Sequence, residues 1–179
     1  MDLRTAISTH KFWQYSLQFY TQNNNQTTLL WLQDNAALNV NVALLLMYLQ
    51  TKGVFISGDQ FNHLNQENQD LDSLTASFRE KRRVLKADNI EEGMADYRTL
   101  DYQALFQQEL DCEKQQQAQL IDIVSTFGKH THDGTSMDIK YYLLTLVTSI
   151  ESTLITKVES HIDVLIEEQQ KLANNFAHH

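Results

Sequence analysis

The absence of proline constrains the fold of this chain more than any other feature of its sequence. None of its 179 residues is proline, and only five are glycine. These two residues most often interrupt helices and form turns, so a chain with so few of them favours long helices. Hydrophobic residues make up 42% of the chain and charged residues 21%, which is typical of a globular protein rather than a disordered one. We therefore predict an all-α fold.

The segment Val40–Lys52 is predicted to be the buried centre of this fold. It is apolar on nearly every side of a helix, which is typical of a helix surrounded by others. Asn39 is a suitable N-cap, and Gly53 is expected to end the helix in the left-handed conformation. We predict a bundle of about six helices around 40–52, within a single domain that spans 1–179. The other predicted helices are Thr9–Thr21, Thr27–Asn35, a segment from an Asp59 cap to about Lys86 with a break near 67–70, and Leu100–Phe127, with a loop at Asp88–Gly93.

The C-terminal segment, about 135–175, is predicted to form one long helix or a helix pair. Its apolar residues recur every three or four positions, and Thr135-x-x-Asp138 resembles a capping box. An unbroken helix over Ser136–Leu172 would be roughly 55 Å long, which exceeds a small domain. We therefore expect it to bend near Ser152, or to project and form a homodimer with a second copy.

Composition also limits the classes of partner. A net charge of −9 and a pI near 5.1 disfavour nucleic acids and anionic membranes, which would be repelled. The longest apolar run, Val42–Leu49, is far shorter than the roughly 20 residues that cross a bilayer. Met1–His10 lacks the apolar stretch of a signal peptide, and Cys112 is the only cysteine. These features predict a soluble cytoplasmic protein.

A basic cluster stands out in this acidic chain. The stretch FREKRRVLK, Phe78–Lys86, holds five of the fourteen lysines and arginines. With about 100° per residue, four of them fall on one helical stripe, beside an apolar stripe that we expect the helix to bury. The basic stripe consists of Arg79, Arg82, Arg83 and Lys86, and the apolar stripe of Leu71, Leu74, Phe78 and Leu85.

Three interpretations of the basic stripe are open. It is a solvated face with acidic neighbours such as Asp88 and Glu91, or it forms an internal ionic network with carboxylates of other helices. The third interpretation is a site for a ligand that carries phosphate or carboxylate groups.

Four segments together resemble a known family. They are FWQYSLQFY at 12–20, LQDNAALNVNVALLLMYL at 32–49, FREKRRVLK at 78–86 and ELDCEKQQQAQL at 109–120. In this order they resemble a family of short, uncharacterised bacterial proteins, mainly from gamma-proteobacteria, known only as a conserved domain of unknown function. The resemblance covers roughly 9–120, leaves about 135–175 as a C-terminal helical extension, and implies an all-helical fold with no established activity. The chain departs from the family pattern at Ala37, where the family has glycine in a turn, and in lacking a proline before Arg79.

The resembling segments also suggest which polar residues to place together. Asp34 and Asn41 flank the start of the central helix, and Glu109 and Glu113 lie one turn apart on one face of another helix. We predict that Arg79, Arg82 or Arg83 pairs with Asp34 or with these glutamates. Asn41 is interpreted as a helix cap, with a contact to Asp34 or an arginine as the alternative.

No motif of a known reaction is present. The sequence has no phosphate-binding glycine loop, dinucleotide fingerprint, His-Glu-x-x-His, nucleophile elbow or Glu-x-x-His pair. His130-x-His132-Asp133 lacks a clear third and fourth ligand and is interpreted as a solvated loop. The acidic neighbours of Cys112 are expected to raise the pKa of its thiol and make it a poor nucleophile. We predict no catalytic residue, metal or cofactor.

The leading hypothesis is therefore a non-enzymatic cytoplasmic protein with an interaction or regulatory role, an internal arginine–carboxylate network and an unknown protein partner. The alternative is a protein, or an enzyme, that binds an anionic or phosphorylated small molecule on the basic stripe. Nucleic-acid binding through the same stripe is disfavoured by the net charge.

Overall fold

The chain is helical throughout the part that the structure describes. The computed structural model describes residues 7–94, 96–127, 138–147 and 150–177. The fold class predicted from the sequence is confirmed. In these residues the helices are α1 (Thr9–Thr21), α2 (Asn25–Ala36), α3 (Val40–Thr51), α4 (Gly58–Glu67), α5 (Gln69–Glu91), α6 (Leu100–Thr126), α7 (Ile139–Thr145), a 3-10 turn at Ser152–Leu154, and α8 (Ile155–Ala177).

Helix α3 is the centre of the bundle, as its apolar sequence predicts. Every residue from Asn41 to Leu49 is buried, and α1, α2, α6, α7 and α8 all pack against it. Burying each leucine contributes about 1.5–3 kcal/mol, so this helix supplies much of the drive to fold.

The ends of the helices follow local sequence signals, with one correction. The Asn39 side chain accepts a hydrogen bond from the Val42 amide (3.0 Å), and Gly53 has the expected positive φ of 63°. The N-cap of α4 is Ser57 rather than the predicted Asp59. Ser57 forms a reciprocal capping box with Gln60, which satisfies two backbone amides at once, whereas Asp59 lies inside the first turn.

The C-terminal segment is a helix pair rather than one continuous helix. Asp138 caps α7 by accepting from the Tyr141 amide (3.2 Å), the 3-10 turn begins at Ser152, and α8 follows directly. The predicted Thr135 half of the capping box lies outside the described residues. The apolar face of α8 packs back onto the bundle, and its buried members are Val158, Ile162, Leu165 and Leu172. Other side chains of α8 are exposed, among them Ile155 at 45% and Val164 at 41%.

One hydrophobic cluster joins both parts of the chain. Leu143 and Ile162 from the C-terminal helices belong to the same buried cluster as Leu45 and Leu46 of α3. The C-terminal helices thus cover the central helix and complete its burial.

Helix α5 is longer than predicted. The sequence suggested a loop over Asp88–Gly93, but the helix continues to Glu91. The buried Asn89 explains the difference, because its Nδ2 donates to the Tyr97 carbonyl (3.0 Å) and ties the last turn to the following segment. Gly93, with φ 74°, then ends the helix in the left-handed conformation.

Helices α5 and α6 form an outer hairpin and pack along most of their length. The expectation that α5 buries its apolar stripe is met only in part. Leu74 is 44% exposed, whereas Leu71, Phe78 and Leu85 are partly buried. The face that carries Arg79 and Arg82 meets α6. Charged hydrogen bonds across the two helices orient α5 in this way.

No helix in the described ranges is long and apolar enough to span a membrane.

We predict that Ala37→Gly stabilises the protein. Ala37 is exposed and adopts a left-handed φ of 51° at the end of α2, a conformation that costs an L-residue about 1 kcal/mol relative to glycine. The free energy of unfolding measured in urea should therefore rise by up to about 1 kcal/mol. The same change at Ala76, which is exposed within α5, should lower it by about 1 kcal/mol. Equal losses at both positions would contradict this account of the turn.

We predict that Ile162→Ala destabilises the whole fold, because α8 belongs to the shared core. Ile162 is fully buried, and losing its side chain should cost about 2–5 kcal/mol in urea unfolding. Val164→Ala, on the same helix but 41% exposed, should change stability by less than about 0.5 kcal/mol. A separate second unfolding transition in the Ile162 variant would show instead that the C-terminal helices fold independently.

Candidate functional site: an arginine–glutamate cluster in the outer hairpin

Two arginines of α5 converge on one carboxylate of α6. Arg79 Nε donates to Glu109 Oε1 (3.1 Å), and Arg82 Nε donates to Glu109 Oε2 (2.6 Å). Arg82 Nη2 adds a third bond to Oε1 (3.3 Å). The positions follow from helical spacing, because residues three apart on α5 lie on one face. We call Arg79, Arg82, Glu109 and the neighbouring Glu113 the Arg–Glu cluster.

The cluster is largely shielded from water. The side chain of Glu109 is 7% exposed, and those of Arg79 and Arg82 are 15% and 21% exposed. At this burial an unpaired carboxylate would cost several kcal/mol, and the hydrogen bonds from both guanidinium groups offset that cost.

Aromatic residues of α6 hold Arg82 from two further sides. Its Nη1 donates to the Tyr102 hydroxyl (3.0 Å), and its guanidinium carbon lies 5.7 Å from the centre of the Phe106 ring. The hydrogen bond with Glu109 is the largest cause that raises the pKa of Arg82 above its usual value. The guanidinium of Arg82 is thus positively charged and held in one orientation.

Glu113 is the less well satisfied carboxylate of the cluster. It accepts one bond, from Arg79 Nη2 (3.4 Å), and its side chain is 32% exposed. Burial is the main cause that raises its pKa above the usual glutamate value, Arg79 opposes this rise, and the charge of Glu109 adds to it. Glu109 and Glu113 are one turn apart but have different environments.

The other two members of the basic stripe lie apart from this cluster. Arg83 pairs with Asp34 of α2, and both side chains are close to half exposed. Lys86 Nζ lies over the Tyr97 ring, 4.8 Å from its centre, and has no carboxylate partner within the described ranges. The structure therefore brings Arg79 and Arg82 together with Glu109 and Glu113, joins Arg83 to Asp34, and leaves Lys86 with an aromatic partner.

Asn41 takes part in a different polar contact from those considered in the sequence. It is buried and faces α6, where its Nδ2 donates to Gln116 Oε1 (2.6 Å) and its Oδ1 accepts from Gln117 Nε2 (2.8 Å). The Ser16 hydroxyl then donates to Gln117 Oε1 (3.4 Å). Asn41 is thus neither a cap nor a partner of Asp34, and Asn39 alone caps α3.

The amides continue the cluster into a polar seam along α6. Glu109, Glu113, Gln116 and Gln117 are spaced three or four residues apart or adjacent, so they share one side of the helix, in line with the buried Leu120. Sequence reasoning missed Gln116, Gln117, Tyr102 and Ser16. The signal that could have found the two glutamines is their place on the same helical face as the apolar residues after them.

Other candidates for chemistry gain no support from the structure. Within the described ranges no group of three or more histidine, cysteine or acidic side chains is arranged to hold a metal. The segment His130–Asp133 lies outside those ranges. Cys112 is buried, and burial, with Asp111 and Glu113 nearby, raises the pKa of its thiol, which makes the nucleophilic thiolate scarce.

The chain belongs to a family described as a protein of unknown function, DUF2390, which matches residues 11–120. The resemblance to a conserved domain of unknown function is thereby confirmed. All residues of the basic stripe and the Arg–Glu cluster lie within the match, which ends inside α6 at Leu120. No curated protein and no solved structure matches the chain.

We predict opposite effects from removing the charge of the two glutamates. Glu109→Gln leaves two partly buried guanidinium groups without their shared carboxylate, and should lower the free energy of unfolding by about 3 kcal/mol. Glu113→Gln should leave the thermal midpoint at neutral pH unchanged or higher, because the raised pKa of Glu113 means that folding disfavours its charged form relative to the unfolded chain. Equal destabilisation by both changes would contradict the difference in environment.

The raised pKa of Glu113 also predicts a pH dependence. The folded protein binds this proton more tightly than the unfolded chain, so stability should fall as the pH rises from the usual glutamate pKa through the raised value. The measurement is the difference in thermal midpoint between the wild type and Glu113→Gln from acid to neutral pH. A difference that stays constant with pH would exclude this titration.

We further predict that burial decides the strength of the ion pairs. In a double-mutant cycle, alanine changes at Arg82 and Glu109 should show a coupling of about 2–3 kcal/mol. The matched cycle at Arg83 and Asp34, whose side chains are 45% and 43% exposed, should show less than about 1 kcal/mol. Equal couplings for the two pairs would refute the role assigned to burial.

Proposed function

We propose that this chain is a non-enzymatic interaction or regulatory protein, and that the α5–α6 hairpin meets its partner. The proposal rests on which side chains of the hairpin are paired within the chain and which are exposed to solvent. Arg79, Arg82 and Arg83 contact carboxylates of the same chain, whereas Val84 and Phe106 leave half of their surface to solvent. The groups that would bind an anion are occupied, and the groups that would bind a protein are exposed.

The exposed apolar residues are concentrated on the hairpin. Twelve large apolar side chains are exposed in the described ranges, and half of them lie within residues 74–106. Single exposed apolar residues are common, but such a concentration is typical of an interaction surface. From 84 to 106 the described side chains include only one that is buried, that of Asn89, so no other helix covers this part.

The alternative function, binding of an anionic small molecule, gains less support. Such a ligand would have to displace Glu109 from two guanidinium groups and leave its carboxylate buried without a partner, which is costly. Lys86 supports the alternative best, since it lacks a carboxylate partner in the described ranges. A thermal-shift screen of phosphorylated and carboxylated metabolites separates the two functions. We expect no stabilisation; a ligand that stabilises the wild type but not Lys86→Glu would favour the alternative.

Location and self-association are part of the proposal. The acidic composition and the single cysteine support a place in the reducing cytoplasm of a bacterium. Self-association through α8 would use Val164, which is 41% exposed and lies away from the buried face of the helix. Sedimentation of the wild type and of Val164→Asp tests it, because a dimer of both, or a monomer of both, would exclude this contact.

Site-specific cross-linking tests the proposed function directly. A photoreactive amino acid is placed at Val84 on the hairpin and, as a control, at Tyr141 on α7, both exposed. In bacterial cells we expect a discrete protein adduct from Val84 and none of the same size from Tyr141. Adducts of equal pattern at both positions, or none at Val84, would contradict an interaction role for the hairpin.

A further inference from the structure

The turn between α5 and α6 presents apolar side chains to solvent. We call the described residues 88–94 and 96–101 the hairpin tip. Ile90 is 54% exposed, Met94 46% and Leu100 83%. Leu100 is thus almost fully in water, although it opens a helix where a polar residue would be more favourable.

Specific hydrogen bonds and an aromatic contact hold the hairpin tip in a defined conformation. The side chain of the buried Asn89 donates to the Tyr97 carbonyl (3.0 Å), and the backbone carbonyl of Asn89 accepts from the Met94 amide (3.1 Å). The Tyr97 ring packs edge-on against Tyr102, with ring centres 5.3 Å apart, and Thr99 caps α6. A turn ordered in this way presents its apolar side chains with little entropy left to lose on binding.

The segment that carries these apolar side chains is strongly acidic. The hairpin tip holds five carboxylates and one arginine, which gives a net charge of −4 out of −9 for the chain. Arg98 is paired with Asp96 at 3.1 Å. The remaining carboxylates have no ion-pair partner within the described ranges; they are Asp88, Glu91, Glu92 and Asp101.

Three of these carboxylates lie at a position where they lower the stability of the isolated protein. Asp88, Glu91 and Glu92 lie at the C-terminal end of α5, whose last turn carries no basic residue. The helix dipole makes this end negative, so cations are favourable there and carboxylates are not. A cationic surface brought to this end would relieve the repulsion.

We propose that the hairpin tip docks onto a partner protein whose surface has an apolar centre and a basic rim. This inference deepens the proposed function and rests on it. The charge of the tip selects the partner class, because nucleic acid, anionic lipid and a second copy of the same tip would all be repelled. Ile90, Met94 and Leu100 supply the apolar contact, and the unpaired carboxylates supply the charged rim.

A synthetic amphipathic helix of leucine and lysine serves as the probe, since it presents an apolar stripe bordered by cations. It is titrated into the isotope-labelled full chain and followed by NMR and calorimetry. We expect the amide signals of 88–101 to shift before others. Leu100→Ser should weaken binding about tenfold, whereas Leu17→Ser, at a residue 49% exposed on α1, should not.

A matched pair of double variants separates docking from general attraction to an acidic protein. Glu91→Lys with Glu92→Lys should weaken binding about tenfold or more, with a thermal midpoint that is unchanged or raised. Glu151→Lys with Glu159→Lys makes the same charge change at exposed positions elsewhere and should have little effect. Equal weakening in both double variants, or shifts spread over the whole chain, would overturn the proposal.

Two further outcomes are decisive. Binding of a single-stranded oligonucleotide or of anionic vesicles at the hairpin tip would overturn the partner class. If the probe does not bind the tip while Val84 still gives its specific cross-link, the tip proposal fails and the interaction role of the hairpin stands. If both are absent, both fail.

Discussion

The outer hairpin depends on one carboxylate that is held between two guanidinium groups. Glu109 is nearly inaccessible to water, and its three hydrogen bonds all come from Arg79 and Arg82. A well-packed apolar cluster of the same size would stabilise the hairpin at least as well, since desolvation offsets most of the gain from a buried ion pair. The charged groups instead restrict the relative orientation of the two helices, because a planar guanidinium donates hydrogen bonds to a carboxylate in only a few orientations. The cluster therefore fixes which faces of α5 and α6 meet.

That choice of face determines what the hairpin exposes. With Arg79 and Arg82 turned toward α6, the apolar stripe of α5 is only partly covered, and Leu74 remains 44% exposed. Farther along α6, Gln116 and Gln117 extend the polar seam to Asn41, so a slip of one turn between α6 and its neighbours would leave several buried amides without partners. Specific polar contacts thus hold the register, while burial of α3 supplies most of the stability.

The sequence was sufficient for the fold and for part of the site. The apolar run of α3, the cap at Asn39 and the left-handed Gly53 are local signals, and local chemistry decides them. Local signals could not predict which face of α5 contacts α6, because an apolar stripe and a basic stripe lie side by side on this helix. The position of Glu109 on α6 decides that the face with Arg79 and Arg82 makes the contact. Asn41 was misinterpreted for the same reason. An asparagine at the start of a helix resembles a cap, and its partners Gln116 and Gln117 lie 75 and 76 residues away.

The pairing within the chain bears on where a partner can bind. Among the described residues, the two most buried arginines are bound by internal carboxylates, whereas carboxylates without an ion-pair partner lie at the far end of the hairpin. The Arg–Glu cluster joins α5 to α6, and the Asn89 side chain bonds to the segment that follows α5. Ile90, Met94 and Leu100 therefore lie at the end of a hairpin that specific hydrogen bonds hold together. A surface that is apolar and acidic is costly for an isolated protein, because its exposed apolar side chains gain no burial and most of its carboxylates have no ion-pair partner in the described ranges. It is suited to a partner that supplies both.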